Sequence, residues 1–449
     1  MASNKNTLIS DENRESEEYK KALDFLYSQL PMFSRTGAAA YKPGLDTSLR
    51  LDEFFGHPHK RFKSIHVGGT NGKGSTSSML AAVLQSQGYK TGLYTSPHLV
   101  DFRERMRING EMIPQKDVVD FVERWKKCGY EGHPSFFELT MMMAFDWFAK
   151  ENVDYAIIEV GMGGRLDSTN IITPLVSVIT NISPDHTQFL GTTLTEIAGE
   201  KAGIIKAGVP VVIGESLPET KPVFEQKARD ENATIIFADE NPLLLSAEKD
   251  SVTSGWRCLT KFGEFVSPLG GVYQKKNINT TLHAIEAMKR AGIEISDSSI
   301  VKGLENVETL TGFAGRWTIL EKTPLVIADT GHNIAGLSYN MQQLKEMLDK
   351  TPGSHLHFVI GFVADKDVVH ILSLLPKKAF YYVTQAQIPR ALPAEKLFEM
   401  MRDAGFSCEI YADVDSAYSA AKKEAKDEDV IYVGGSTFIV ADLLASFKS

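Results

Sequence analysis

A chain of 449 residues with 43% hydrophobic and 23% charged residues has the makings of an ordinary globular protein and is too long for one core, so two domains are expected. Its formal charge of −9, without long runs of Lys or Arg, excludes a nucleic-acid-binding chain, and no stretch reaches the about 20 apolar residues of a membrane span. The three cysteines, Cys128, Cys258 and Cys408, lie far apart without metal-ligand spacing, and the N-terminus lacks the apolar core of a signal peptide, so a reducing cytoplasm is the expected location.

Order is expected from about Glu15, where Tyr19, Leu23, Phe25, Leu26 and Leu30 fall at helical spacing ahead of Pro31. A turn-rich stretch, Tyr41-Lys42-Pro43-Gly44-Leu45, precedes a short helix from Thr47 to Phe55 that Gly56 and Pro58 stop. The first strand spans Phe62 to Val67. It leads through a glycine-rich turn into a helix carrying Met79, Leu80, Val83 and Leu84, which Gly88 ends.

That turn, Gly69-Thr70-Asn71-Gly72-Lys73-Gly74-Ser75, has the order of a phosphate-binding loop. Glycines let backbone amides approach an anion, the helix N-terminus adds a favourable dipole, and Lys73 reaches the terminal phosphates. The spacing departs from the standard Walker pattern, because Gly74 is inserted before Ser75. A lysine between two glycines at a strand-to-helix junction makes poor structural sense unless an anion comes there; the loop says nucleotide and not which reaction.

Downstream, Asp154 to Val160 and Leu175 to Thr180 read as apolar strands ending in Gly161-Met162-Gly163-Gly164 and Asn181-Ile182-Ser183. A β-rich region from Val209 to Val272 follows, then a helix from Asn277 to Ala291. Thr309 to Arg316 reads as a linker, after which Leu325 to Asp329, His357 to Gly361, Ala379 to Thr384 and Val430 to Val433 restart the strand–helix alternation. Such alternation predicts parallel, doubly wound sheets, in domains 1–305 and 306–449.

Taken in order, HVGGTNGKGST (66–76), GLYTSPHL (92–99), SFFELT (135–140), VGMGGRLDSTN (160–170), SPDHTQFLG (183–191), EKAGIIK (200–206) and DTGHN (329–333) closely resemble the folylpolyglutamate synthase and dihydrofolate synthase family of the Mur ligase superfamily, over nearly the whole chain. The resemblance implies an α/β protein, with an N-terminal P-loop ATPase-type doubly wound sheet and a smaller C-terminal Rossmann-like domain. The implied reaction is ATP-dependent ligation. A substrate carboxylate takes the γ-phosphate, and L-glutamate attacks the resulting acyl phosphate, with dihydropteroate or reduced folates as acceptors and action on both expected.

By the same resemblance, two Mg²⁺ ions are expected, with Ser96, Glu138 and His186 as metal ligands and Lys201 carbamylated to help hold the second. Nucleotide contacts carry over to Asn279, Arg316 and Asp329, and His332 becomes a candidate for placing glutamate or handling a proton. Thr330, Gly331 and Ile334 depart from the family pattern around it. Gly44, Leu45 and their preceding turn, with Phe102, Arg103 and Arg105, are candidate pterin contacts. A monomer is expected. Two rivals stay open: a Mur-type ligase acting on a cell-wall or peptide substrate, and a non-enzymatic nucleotide sensor, which would need the loop but neither Lys201 nor DTGHN.

Overall fold

The computed structural model describes residues 16–30, 44–250 and 255–447. The expected frayed N-terminus and the turn residues Tyr41, Lys42 and Pro43 lie outside these. The chain forms two α/β bodies whose facing surfaces enclose one cavity.

The first body is built on an eight-stranded sheet comprising β1 (Lys63–Gly68), β2 (Thr91–Tyr94), β3 (Met106–Ile108), β4 (Glu111–Met112), β5 (Tyr155–Glu159), β6 (Val176–Ile179), β7 (Val211–Ile213) and β8 (Ile235–Phe237). Its order is β4-β3-β2-β5-β1-β6-β7-β8, parallel except at the β3–β4 edge. β1 lies between β5 and β6, buried on both faces, which explains its near-continuous apolar character. Alternate residues feed two cores: Ile65, Val67 and Ile157 pack toward the helices Lys73–Gln87 and Gln274–Arg290, while Ala156 and Ile158 pack against Phe145 and Phe148. Because helix Lys73–Gln87 is enclosed from Ser75 to Leu84, it shows almost no amphipathic pattern.

The expected β-rich region resolves into β7 and β8 of the main sheet, separated by helix Lys221–Asp230, and a separate antiparallel sheet of β9 (Leu244–Lys249), β10 (Trp256–Thr260) and β11 (Gly263–Ser267). In β10 Trp256, Cys258 and Thr260 point inward and Arg257 and Leu259 outward, the period of a half-buried strand.

The second body has six strands: β12 (Thr318–Lys322), β13 (Leu325–Asp329), β14 (Leu356–Ile360), β15 (Ala379–Val383), β16 (Ser407–Ile410) and β17 (Val430–Gly434). Their order is β12-β13-β17-β14-β15-β16, with only the edge strand β12 antiparallel. Apolar clusters cover both faces, so this sheet too is doubly wound. Val307, in the short helix Val307–Thr311, belongs to the first body's core, and Leu310 and Phe313 pack against it. The passage to the second sheet therefore comes at β12, later than the expected boundary near 306.

Candidate active site

The loop after β1 is shaped by contacts that leave no room for side chains at two glycines. Gly69 has φ +136°, and a Cβ there would sit 1.9 Å from Thr180 Oγ1. Gly72 has φ +85°, and a Cβ there would sit 2.3 Å from Asn277 Oδ1. Thr180 Oγ1 donates to Asn71 O at 2.5 Å, and Asn71 N donates to Asn181 Oδ1 at 3.0 Å, which fixes the loop to the end of β6. Lys73 folds back to donate to Gly69 O (3.3 Å) and Thr70 O (3.1 Å), and the buried Ser75 hydroxyl accepts from Gln274 at 3.1 Å. The loop residues Gly69 to Ser75 all line a cavity of about 600 Å³.

Ser96, Glu138, His186, Lys201, Arg316, Asp329 and His332 line the same cavity. Ser96 lies beside Glu159, whose Oε2 accepts its backbone N–H at 3.2 Å. Burial raises the Glu159 pKa above the usual carboxylate range, an effect opposed by Lys73, the Ser96 amide, Arg316 and Arg105. Glu138 is occupied locally. It closes a capping box at the start of helix Phe136–Lys150, accepting from Ser135 N (2.7 Å) and Ser135 Oγ (2.8 Å), and Ser48 Oγ approaches its other oxygen at 3.4 Å. The carboxylate in contact with Ser96 is that of Glu159, while Glu138, expected as a metal ligand, lines the same cavity.

His186 has φ +49° at the head of the short helix Thr187–Leu190, and burial lowers its pKa to about 4, helped by nearby Lys366, His332 and Lys73. Its imidazole is neutral at pH 7 and retains a lone pair. Lys201 is fully buried and donates to Gly69 O at 2.9 Å; burial, and then the charge of Lys73, lowers its pKa to about 7.

Asn279 falls outside the cavity. Its amide donates to Ala238 O (2.7 Å) and accepts from Leu243 N (2.8 Å) and Leu244 N (3.2 Å), pinning the entry to β9. On this helix Lys276 and Asn277 line the cavity, and Asn277 also packs against Gly72. Two residues is about 200° of helix, so neighbouring asparagines face opposite ways.

Asp329 lines the cavity, but its oxygens are taken: Tyr273 Oη (2.5 Å) and Trp317 N (2.8 Å) donate to one, Gly331 N (2.7 Å) and Asn340 Nδ2 (2.8 Å) to the other. It therefore organises the linker and the loop after β13 rather than offering a free acceptor. Arg316 is held by its carbonyl neighbour Gly315 at 3.2 Å.

Across the gap, Asp185 gathers the second body. Lys366 Nζ lies 2.5 Å from Oδ1, and Asn333 Nδ2 and His332 Nε2 lie 3.3 and 3.5 Å from Oδ2. Burial alone would raise the Asp185 pKa, but His332, His186 and Lys366 hold it well below the carboxylate range. Asn333 also donates to Asn71 of the loop at 3.0 Å, while His332 Nδ1 bonds Thr330 O at 3.0 Å.

A phosphate loop, a buried acid and lysine behind it, and a second doubly wound body closing over it describe a ligase site, and comparison with known proteins agrees. Residues 67–285 match the Mur ligase middle domain and residues 315–437 the Mur ligase glutamate ligase domain. The dihydrofolate synthase/folylpolyglutamate synthase of Bacillus subtilis (strain 168) is 31% identical over 425 residues, which span 91% of this chain and 95% of that one. This chain belongs to the folylpolyglutamate synthase/dihydrofolate synthase family. It is an ATP-dependent glutamate ligase of the Mur ligase superfamily. E. coli FolC in complex with DHPP and ADP superimposes with a TM-score of 0.81 at 28% identity, over 97% of this chain and 99% of that one. The Yersinia pestis folylpolyglutamate synthase/dihydrofolate synthase complexed with AMPPNP and a Mn ion gives 0.79 at 27% identity, over 97% and 99%.

Sequence reasoning missed Glu159, Asn277, Asp185 and Lys366. Glu159 carried a signal: a charged residue ending the apolar strand Tyr155–Glu159, directly before a glycine-rich loop, is seldom buried without a task. Among the described residues, no helix is long and apolar enough to cross a membrane.

Proposed function

We propose that this ligase joins L-glutamate to both dihydropteroate and reduced folates, at one cavity assembled from both bodies. The observation that carries the reading is the shared lining: the loop Gly69–Ser75, Glu159 and Lys201 come from the first body and Arg316, His332 and Lys366 from the second. A nucleotide phosphate chain on the loop amides would then face the second body, where Lys366 and His332 supply cationic and hydrogen-bonding groups for an amino-acid substrate. Lys73 neutralises charge that develops on the transferred phosphoryl oxygens, and the pre-set amides do so without reorganising. Closure of the second body over the loop, already held by the Asn71–Asn333 pair, keeps water from the acyl phosphate.

The donors fit magnesium. Glu159 offers a buried carboxylate that has no salt-bridge partner within 4.0 Å among the described residues, Ser96 a hydroxyl, and His186 a neutral imidazole, with phosphate and water oxygens left to complete the shell. A bound divalent ion supplies charge neutralisation at the phosphoryl oxygens. Lys201, buried and half neutral near pH 7, suits carbamylation, and its carbamate is the donor for a second ion. A monomer in the cytoplasm completes the reading, the three free thiols suiting a reducing compartment.

The experiment is release of phosphate from ATP by purified protein with magnesium, with each substrate omitted in turn. The reading requires turnover only when an acceptor acid and L-glutamate are both present. Release that needs the acceptor but is indifferent to glutamate would replace ligation by phosphoryl transfer to the acceptor followed by hydrolysis of the acyl phosphate.

A further inference from the structure

Away from the cavity, three metal-ligating side chains converge where the helix Asp46–Phe54 gives way to the segment feeding β1. Asp52 lies near the helix end, His57 follows it, and His59 sits in the 3₁₀ turn Pro58–Arg61 that precedes β1. One oxygen of Asp52 is 2.6 Å from His57 Nδ1 and the other 2.5 Å from His59 Nδ1, and the rings stand at 86° to each other with centroids 6.2 Å apart. His57 has φ +54°, and its backbone N–H donates to Asp52 O at 2.7 Å, which turns the chain back over the carboxylate.

Asp52 is only 2% exposed, and among the described residues its ion pairs are to these two imidazoles, with no Lys or Arg within reach. A buried carboxylate calls for a cation or strong donors. Two imidazoles and a carboxylate, one histidine side chain 43% exposed to admit an ion and water, form an N₂O donor set that suits zinc far better than magnesium.

We propose that Asp52, His57 and His59 form a binding site for a zinc-class divalent ion, separate from the catalytic cavity, that ties the helix Asp46–Phe54 to the segment entering β1. All three donor atoms lie within 4.8 Å of one another, and tetrahedral ligation at about 2.0–2.2 Å, with donors about 3.3–3.6 Å apart, requires the two Asp52–imidazole contacts of 2.6 and 2.5 Å to open by about 1 Å. Water completes the shell. The ion would stiffen the approach to the strand that carries the phosphate loop.

The test uses the full chain with Co²⁺ as a spectroscopic stand-in and Zn²⁺ by equilibrium dialysis, both under saturating Mg-ADP so that the catalytic cavity is occupied. The wild type is expected to retain one equivalent with the intense visible absorption of tetrahedral Co²⁺, and to melt at a higher temperature with Zn²⁺. His57→Ala and His59→Ala are each expected to weaken binding by more than the about 10–100-fold that even an outer partner of a ligand is worth, while keeping ligase activity. His57→Gln, which retains a donor for Asp52, serves if an alanine variant fails to fold. Equal retention by wild type and variants, an octahedral spectrum, or no retained ion in the wild type would overturn the site and leave a hydrogen-bonded triad.

Discussion

Replacing Lys201 by alanine separates a chemical role for this lysine from a packing role. With a pKa lowered from 10.5 to about 7, the amine is neutral in about half the molecules at pH 7, against about one in three thousand for an ordinary lysine, a gain of about a thousandfold in the form that captures CO₂. At pH 6 the neutral fraction falls to about one-tenth, so carbamate formation at limiting CO₂ weakens on the acid side. Incubation with ¹³C-bicarbonate followed by ¹³C NMR should give one carbamate resonance in the wild type and none in Lys201→Ala. Turnover of the variant should fall by about 10²–10³-fold, the usual loss when one preorganised electrostatic group is removed, and short carboxylates should restore part of it. An unlabelled wild type refutes the carbamate. A variant with wild-type turnover removes Lys201 from the mechanism.

Glu159→Gln keeps the volume but removes the charge beside Ser96, and should abolish metal-dependent turnover with the fold intact, whereas Glu138→Ala should lower stability by about 0.5–2 kcal/mol through loss of its capping box and leave turnover near normal; steady-state kinetics and thermal melts decide between them. Gly69→Ala drives a Cβ to 1.9 Å from Thr180 Oγ1 at a left-handed φ, so nucleotide binding measured by calorimetry should be lost, and wild-type affinity would contradict the loop geometry. His66 is buried with its pKa lowered to about 3 from 6.5, chiefly by burial. Since the unfolded chain binds the extra proton first, its contribution to stability is complete above pH 6.5 and is lost as pH falls toward 3. Urea titrations of His66→Gln should therefore show an acid limb shallower by up to about 1.4 kcal/mol per pH unit, and an unchanged slope would contradict the assignment.

Much of this was legible because central parallel strands are apolar on both faces: Phe62 to Val67 and Leu325 to Asp329 announced themselves, and the glycines between β1 and its helix marked the loop. Edge elements were harder. β12 has no buried residue, being half-exposed from Thr318 to Glu321 and exposed at Lys322, so nothing in it distinguishes it from the linker before it. The separate sheet β9–β11 gave only a general β character, since its pairing is set by partners in space. At the site, residues within the loop were readable from local chemistry, but Asn279 and Asn277 differ only by helix phase, and Glu138 and Glu159 only by which one the fold brings to Ser96. Asp185, Lys366 and Asn333 meet through domain packing, which spacing does not encode.

The central claim is that one cavity serves two acceptors, and mass spectrometry of products tests it most directly, with purified protein, Mg-ATP and L-glutamate supplied in parallel with dihydropteroate and with tetrahydrofolate. The account predicts a single glutamate added to dihydropteroate and chain extension of tetrahydrofolate. Product from only one acceptor would contradict dual action, and ADP formation without glutamylation of either would contradict the ligase assignment itself.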